Sequence, residues 1–334
     1  MLAPIALVAY RRPRHLARVI ESLLSNREAS ETEVYAFSDA PKNEAAASGV
    51  AEVRRVLDHL TGFKSVEIVH RAKNLGLAGN TTGSISAVLE RRDRVILVED
   101  DFVVSRYFLS FMNAALSQYR DESSVGCVSG YCYPLDRRVG ETFFIRGAEG
   151  WACATWRDRW HLYNPDGRAL LAELRSRGLT SAFDLGGAMG FTRMLADQIA
   201  GKNDSWAVRW HASCFLRNLL VLYPGRSLAM NIGDDGSGTH TTGISHAYDV
   251  TLSSEPITVG GVPIEESAPG REAIRRFFLT AHPPQSPFRR AVVRVLDRLG
   301  IGDTLRRLLR AARSARPDVQ RSTTGSAETD SPCR

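Results

Sequence analysis

The chain has 334 residues, of which 43% are hydrophobic and 24% charged, ample for one large or two smaller packed cores. Its net charge of +6 is uneven: residues 271–334 hold 14 Arg, no Lys and 6 acids, a local +8 that leaves −2 for residues 1–270. A slightly acidic body argues against a nucleic-acid partner, and no run reaches the ~18 apolar residues of a membrane span. The first apolar stretch is too short for a signal peptide and has no basic region before it. Cys127, Cys132, Cys153, Cys214 and Cys333 are odd in number and lack a C-x-x-C pair, as reduced core residues would. A cytoplasmic protein is expected.

Ala3–Tyr10 reads as an apolar strand running into Arg11-Arg12-Pro13. Leu16, Val19, Ile20, Leu23 and Leu24 then share one helical face. Glu33–Phe37 is a second strand ending in Ser38-Asp39, and Ser48–Leu60 a helix with Val50, Val53, Leu57 and Leu60 on one side. Val66–Val69 is a third strand. Asn74-Leu-Gly-Leu-Ala-Gly-Asn80 is a glycine-punctuated entry to a helix near Thr82–Glu90. Arg94–Val98 is a fourth strand, closing on three consecutive carboxylates, Glu99, Asp100 and Asp101. Strands alternating with helical patterns predict an α/β fold with a mostly parallel sheet.

A helix face follows from Phe108 to Tyr119, then a strand at Val125–Ser129. From Tyr131 to Trp210 the alternation weakens, and all five tryptophans, Trp151, Trp156, Trp160, Trp206 and Trp210, fall there. Trp156 and Trp160 stand one helical turn apart and read as core, whereas Trp151, between Gly150 and Ala152, suits a pocket wall. Leu228–Ile232 reads as a strand before Gly233-Asp-Asp-Gly-Ser-Gly-Thr-His240. Residues 1–282 read as the body, in two halves over 1–104 and 105–245. Pro283, Pro284 and Pro287 lead into a basic amphipathic helical tail over 283–314, suited equally to an anionic membrane surface or to packing on protein. Residues 315–334 read as disordered.

Four polar clusters stand at strand ends: Tyr10-Arg11-Arg12, Ser38-Asp39, Arg71 to Asn74, and Glu99 to Asp101. In a parallel sheet they converge on one edge, where open α/β folds bind ligands. Adjacent carboxylates repel unless a cation intervenes, so a divalent metal beside arginines suits a diphosphate. No Walker loop and no dinucleotide glycine fingerprint is present.

Asp39, the segment Asn74–Asn80 and Val95-Ile-Leu-Val-Glu-Asp-Asp-Phe-Val-Val-Ser105 together resemble a GT-A glycosyltransferase. The start is similar to the family 2 enzymes, and Glu-Asp-Asp resembles the D-x-D motif in the N-acetylglucosaminyltransferase I family. The likeness covers about residues 3–240. It implies a Rossmann-like GT-A sheet, a nucleotide-sugar donor (UDP above others) and Mn²⁺ or Mg²⁺ on Asp101. Glu99 and Asp100 would contact ribose or sugar, Asp39 the base, and Arg11 the diphosphate, with Ala9, Tyr10, Arg71 and Asn74 nearby. Asn80 takes a position that is histidine in N-acetylglucosaminyltransferase I. Gly147–Trp156 resembles the donor-sugar wall, which places Trp151 at the sugar, and His240 would contact metal or diphosphate.

The resemblance also makes Lys202–Trp206 the loop of the catalytic acid in inverting members. Asp204 is the expected base, Asp184 and Glu149 its competitors, and Asp204 reads equally as a helix N-cap. The expectation is a metal-dependent inverting hexosyl- or N-acetylhexosaminyltransferase in cell-surface glycan synthesis, acting on a saccharide or lipid-linked acceptor. It would work in the cytoplasm or at the inner membrane face. A sugar-phosphate nucleotidyltransferase and a carbohydrate-binding protein built on the tryptophan cluster are the alternatives.

Overall fold

The computed structural model describes residues 2–235 and 246–283. His240, Cys333, the basic tail and the segment expected to be disordered lie outside them. The first half alternates as its periodicity requires: β1 (Ile5–Ala9), α1 (Pro13–Leu24), β2 (Glu33–Ser38), α2 (Glu44–Asp58), β3 (Ser65–His70), α3 (Gly76–Arg91) and β4 (Arg94–Glu99). Next come β5 (Phe102–Val104), α4 (Phe108–Gln118), β6 (Val125–Ser129), β7 (Thr142–Arg146), β8 (Cys153–Trp156) and α5 (Arg157–Trp160). The remainder is α6 (Gly167–Ser176), α7 (Thr180–Phe183), α8 (Phe191–Ile199), α9 (Trp206–Leu216), β9 (Leu220–Pro224), β10 (Ala229–Asn231) and α10 (Ala268–Ala281).

Eight strands form one sheet in the order β3-β2-β1-β4-β8-β6-β9-β7. The first four are mutually parallel, β6 pairs parallel with β9, and β8 and β7 run antiparallel to their neighbours. The result is a mixed, mostly parallel α/β sheet of Rossmann-like order that runs through both halves of the body. Strand β1 shows why it is stable. All five residues are buried: Ile5, Leu7 and Ala9 pack with Leu16, Val19 and Leu23 of α1, while Ala6 and Val8 pack with Ile85 and Val88 of α3. A strand covered on both faces reads as a continuous apolar run, as Ile5–Ala9 does.

Several elements differ from their periodicity. Helix α3 begins at Gly76, not near Thr82, because Gly76 adopts φ +72° and turns the chain directly from Asn74 into the helix. Helix α2 spans Glu44–Asp58, capped by the Asn43 side chain on the Ala46 amide, and Leu60 lies beyond its end. Leu24 closes α1 but is 40% exposed. Residues 228–232 contribute only β10, which pairs with β5 in a separate two-stranded ribbon. Trp156 ends β8 and Trp160 ends α5, so they do not share a helix, yet both are buried as core. Trp206 and Trp210 are buried too, so that Trp151 alone of the five tryptophans is partly exposed. Cys127, Cys132, Cys153 and Cys214 are free and buried. Among the described residues no helix is long and apolar enough to cross a membrane.

Candidate active site

Strand order reverses between β1 and β4, the point where open sheets of this kind leave a crevice at their carboxyl ends. A cavity of about 390 Å³ opens there. The exit of β1 gives it Ala9, Tyr10, Arg11 and Arg12, and the exit of β2 gives Asp39. The entry to α3 adds Asn74 and Asn80; the exit of β4 adds Glu99, Asp100 and Asp101; Trp151 and Asp204 complete the wall. Arg71 stands behind this lining instead of in it. Its guanidinium lies 5.1 Å over the Phe37 ring and donates to Asn80 Oδ1 at 3.3 Å and Ser84 Oγ at 3.4 Å.

The carboxylate triplet is held from several sides. The Tyr10 amide donates to Asp100 Oδ2 at 2.9 Å, and the Thr81 hydroxyl to Glu99 Oε1 at 3.4 Å. Arg12 Nη2 lies 2.6 Å from Asp101 Oδ2 and 3.6 Å from Asp100 Oδ1. One guanidinium therefore faces two of the three acids. Burial, reinforced by the charges of Asp101 and Asp100, pushes Glu99 up to about 8. Burial and then the Asp101 charge push Asp100 up to about 6. The triplet is short of positive charge even with Arg12 in place.

The segment after β10 covers this pair. The Ile232 amide donates to the Asp101 carbonyl at 2.8 Å, and Arg12 Nη1 donates to the Gly233 carbonyl at 3.4 Å. A Cβ on Gly233 would lie 2.5 Å from Asp101 Oδ2 and 2.6 Å from Arg12 Nη1, so only glycine passes there without moving the pair. Arg12, read only as part of the Tyr10-Arg11-Arg12 cluster, and Gly233, read only as the start of the loop to His240, are the contributors to which the residue pattern assigned no individual role. Arg11 and Arg12 are adjacent and chemically alike. Only the turn into α1, where Pro13 opens the helix, decides which one faces the acids.

The N-terminus of α3 is closed by protein carboxylates. Asp39 accepts from the Leu75 amide at 2.9 Å, the Gly76 amide at 3.0 Å, the Asn74 side-chain amide at 3.0 Å and the Ala40 amide at 2.9 Å. Asp204 Oδ2 accepts from the Ala78 amide at 3.1 Å. The N-cap of α9 is Ser205, whose hydroxyl accepts from Val208, so Asp204 caps α3 instead of the helix it precedes. Both competitors of Asp204 lie elsewhere. Asp184 accepts from the Thr192 amide at 2.7 Å at the head of α8. Glu149 faces a second cavity of about 100 Å³, behind the Gly150–Trp151 segment.

Trp151 packs edge-on against Tyr131 and Tyr248, with centroids 5.0 and 5.5 Å away, and against Phe102 at 5.5 Å. Those contacts hold one flat apolar surface at the cavity wall, opposite the acids in chemical character.

Among the described residues no group of three or more His, Cys, Asp and Glu side chains is disposed as a metal cage. The donor set nevertheless fits a hard divalent cation of another kind. Oxygen-only carboxylates open to a cavity suit a cation that takes one or two protein ligands and completes its shell with phosphate and water.

No protein-family model matches the chain, and no curated protein matches it. Among solved structures, S. aureus TarS is similar at 12% identity over 37% of this chain and 21% of that one, with a TM-score of 0.28. The chain thus matches about a fifth of that protein's length, a likeness too slight to bear on chemistry.

Proposed function

We propose that the protein is a metal-dependent inverting glycosyltransferase of GT-A type that moves a hexosyl or N-acetylhexosaminyl group from a nucleoside-diphosphate sugar. The observation that carries this reading is the convergence of the carboxylate triplet, Arg11, Arg12, Trp151 and Asp204 on one cavity at the sheet's switch point. Arginine beside a carboxylate-bound cation is the arrangement that receives a diphosphate, and an aromatic face is what a sugar ring stacks on. Asp101 would hold Mn²⁺ or Mg²⁺, whose contribution when bound is to neutralise charge on the departing diphosphate.

This chain's own residues do the rest. Arg11 and Arg12 orient the phosphates, Asp100 and Glu99 face ribose or sugar, and Asn74 and Asn80 line the side toward the base. Asp39 is committed to the α3 amides, so any part it takes in base recognition passes through the turn it holds. Asp204 removes the acceptor hydroxyl's proton as that oxygen bonds to the anomeric carbon. The bond from that carbon to the diphosphate oxygen breaks in the same step, and the nucleoside diphosphate leaves with the electron pair. UDP is the nucleotide of choice by resemblance, and a saccharide or lipid-linked alcohol the acceptor.

Purified protein with Mn²⁺ and a panel of UDP-, GDP- and dTDP-sugars tests the proposal by donor hydrolysis and calorimetric binding. Cation-dependent binding and turnover of one donor are expected. Neither turnover nor binding of any donor would overturn the reading.

A further inference from the structure

We infer that Arg12 is a built-in counter-cation that occupies the cation's place on Asp101 and makes cation binding depend on the nucleotide diphosphate. The inference rests on the proposed donor site and adds an order of events to it.

The geometry is specific. Arg12 reaches Asp101 Oδ2 at 2.6 Å, within the range of a charge-assisted bond, with Asp100 Oδ1 at 3.6 Å. Its side chain is 18% exposed and that of Asp101 15%, so the pair is only weakly screened by solvent. Its other Nη donates to the Gly233 carbonyl, which ties it to the segment covering the site. That segment is itself pinned: His15 Nε2 lies 3.2 Å from the Ile232 carbonyl and 3.1 Å from Asp235 Oδ2, and Ile232 bonds the Asp101 backbone. A divalent ion and a guanidinium cannot share Asp101 Oδ2 without strong like-charge repulsion in so enclosed a place. A cation arriving alone must therefore displace Arg12 and leave it partly buried without its partner, which opposes binding.

A diphosphate changes that balance. Its oxygens accept the guanidinium in the same bidentate geometry a carboxylate offers, so Arg12 exchanges one anion for another as the cation takes Asp101. Cation and nucleotide then bind as a unit, and the ion is not retained after the nucleotide leaves.

Titration of full-length protein with Mn²⁺, followed by the electron paramagnetic resonance signal of the free ion, tests this without any turnover. Wild type should bind Mn²⁺ alone weakly, and Arg12→Gln should bind it roughly tenfold more tightly or better. The gain should vanish in Arg12→Gln/Asp101→Asn, and Arg12→Lys, which keeps the charge, should remain weak. With UDP present the order should reverse, wild type binding Mn²⁺ and UDP more tightly than Arg12→Gln. Mn²⁺ affinity in a folded Arg12→Gln equal to or below that of wild type would overturn the inference while leaving the donor site standing. A wild type that binds no nucleoside diphosphate with Mn²⁺ would overturn the functional reading, and the effect of Arg12→Gln on Mn²⁺ alone would still be read separately.

Discussion

Asp39 and Asp204, carried on distant parts of the chain, accept hydrogen bonds from amides in the same first turn of α3, Gly76 to Asp39 at 3.0 Å and Ala78 to Asp204 at 3.1 Å. Two carboxylates at one helix N-terminus are each favoured by its partial positive charge and exposed amides. They tie two walls of the cavity together through one turn. On the proposed function, the residue that would abstract the proton is held by the same element that would form the nucleotide wall.

Asp204→Asn separates the two duties of that side chain. The carboxamide oxygen still accepts from Ala78, but the group no longer takes a proton at neutral pH. Sugar transfer should fall about 10²- to 10⁴-fold, with the urea midpoint nearly unmoved. Asp204→Ala should lose the cap as well, about 1 kcal/mol of stability. Transfer by Asp204→Asn within tenfold of wild type would remove Asp204 from the chemistry.

Asp39→Ala isolates the structural half of the relationship. It leaves the Leu75, Gly76 and Ala40 amides without their acceptor in a partly buried turn, while the Asn74 side chain keeps the Ala40 carbonyl at 2.7 Å. A loss of about 2–3 kcal/mol in urea unfolding is expected. Asp39→Asn, which keeps one acceptor oxygen, should lose about half as much. A midpoint unchanged in both variants would mean that the turn is held by other contacts.

How much of this was legible beforehand follows from which interactions are local. The parallel strands and the gathering of their polar exits at one edge follow from alternation of period and from chain direction, both of which a linear pattern carries. Asp101 and Asp204 were expected from the resemblance and Trp151 also from its small neighbours, and all three line the cavity. The role of Asp204 as a cap was legible but misdirected. The pattern Asp204-Ser205-Trp206 offers two cap residues for α9, and only the tertiary fold shows Ser205 capping that helix and Asp204 capping α3. Strands β7, β8 and β9 went unread although β9 is as buried as β1; all three lie past the regular strand–helix alternation of the first half, and β8 is only Cys-Ala-Thr-Trp. Arg12 facing Asp101 under Gly233 is a contact between three separate segments, and no local pattern encodes it.

The acids make stability depend on pH in a direction opposite to the usual carboxylate case. Glu99 at about 8 and Asp100 at about 6 lie above their ordinary values of 4.5 and 3.8. Between those limits the folded protein holds protons that the unfolded chain has released. The contribution of this pair is therefore present at low pH and lost as pH rises through that window. A bound cation and diphosphate favour the ionised acids, so binding should tighten over the same interval and release protons. Thermal unfolding at about pH 5.5 and pH 8, with and without Mn²⁺ and UDP, measures both effects. The shift in Tm caused by ligand should be larger at pH 8. A shift independent of pH would mean that the triplet does not meet the ligand.

Glu149 provides the test that separates support from catalysis, because it is a buried carboxylate on the neighbouring cavity with a different set of partners. Its Oε2 accepts from the Tyr133 and Tyr223 hydroxyls, both at 2.9 Å. Its Oε1 accepts from the Gly150 amide at 2.8 Å and the Trp151 amide at 3.4 Å. Burial raises its pKa, which taken alone would commend it as a base. The geometry assigns it otherwise: both oxygens are occupied by donors that fix the chain carrying Trp151, and it opens onto the smaller cavity. Glu149→Ala should cost about 3–5 kcal/mol, since two tyrosine hydroxyls and two amides lose their acceptor. Glu149→Gln keeps an acceptor on one side and turns an NH₂ toward donors on the other. It should cost about 1–2 kcal/mol and raise the KM for donor through a displaced Trp151, with kcat within about threefold of wild type. The contrary result is equally clear. If Glu149→Gln abolishes kcat while the KM for donor and the urea midpoint stay at their wild-type values, then Glu149, and not Asp204, takes the acceptor's proton.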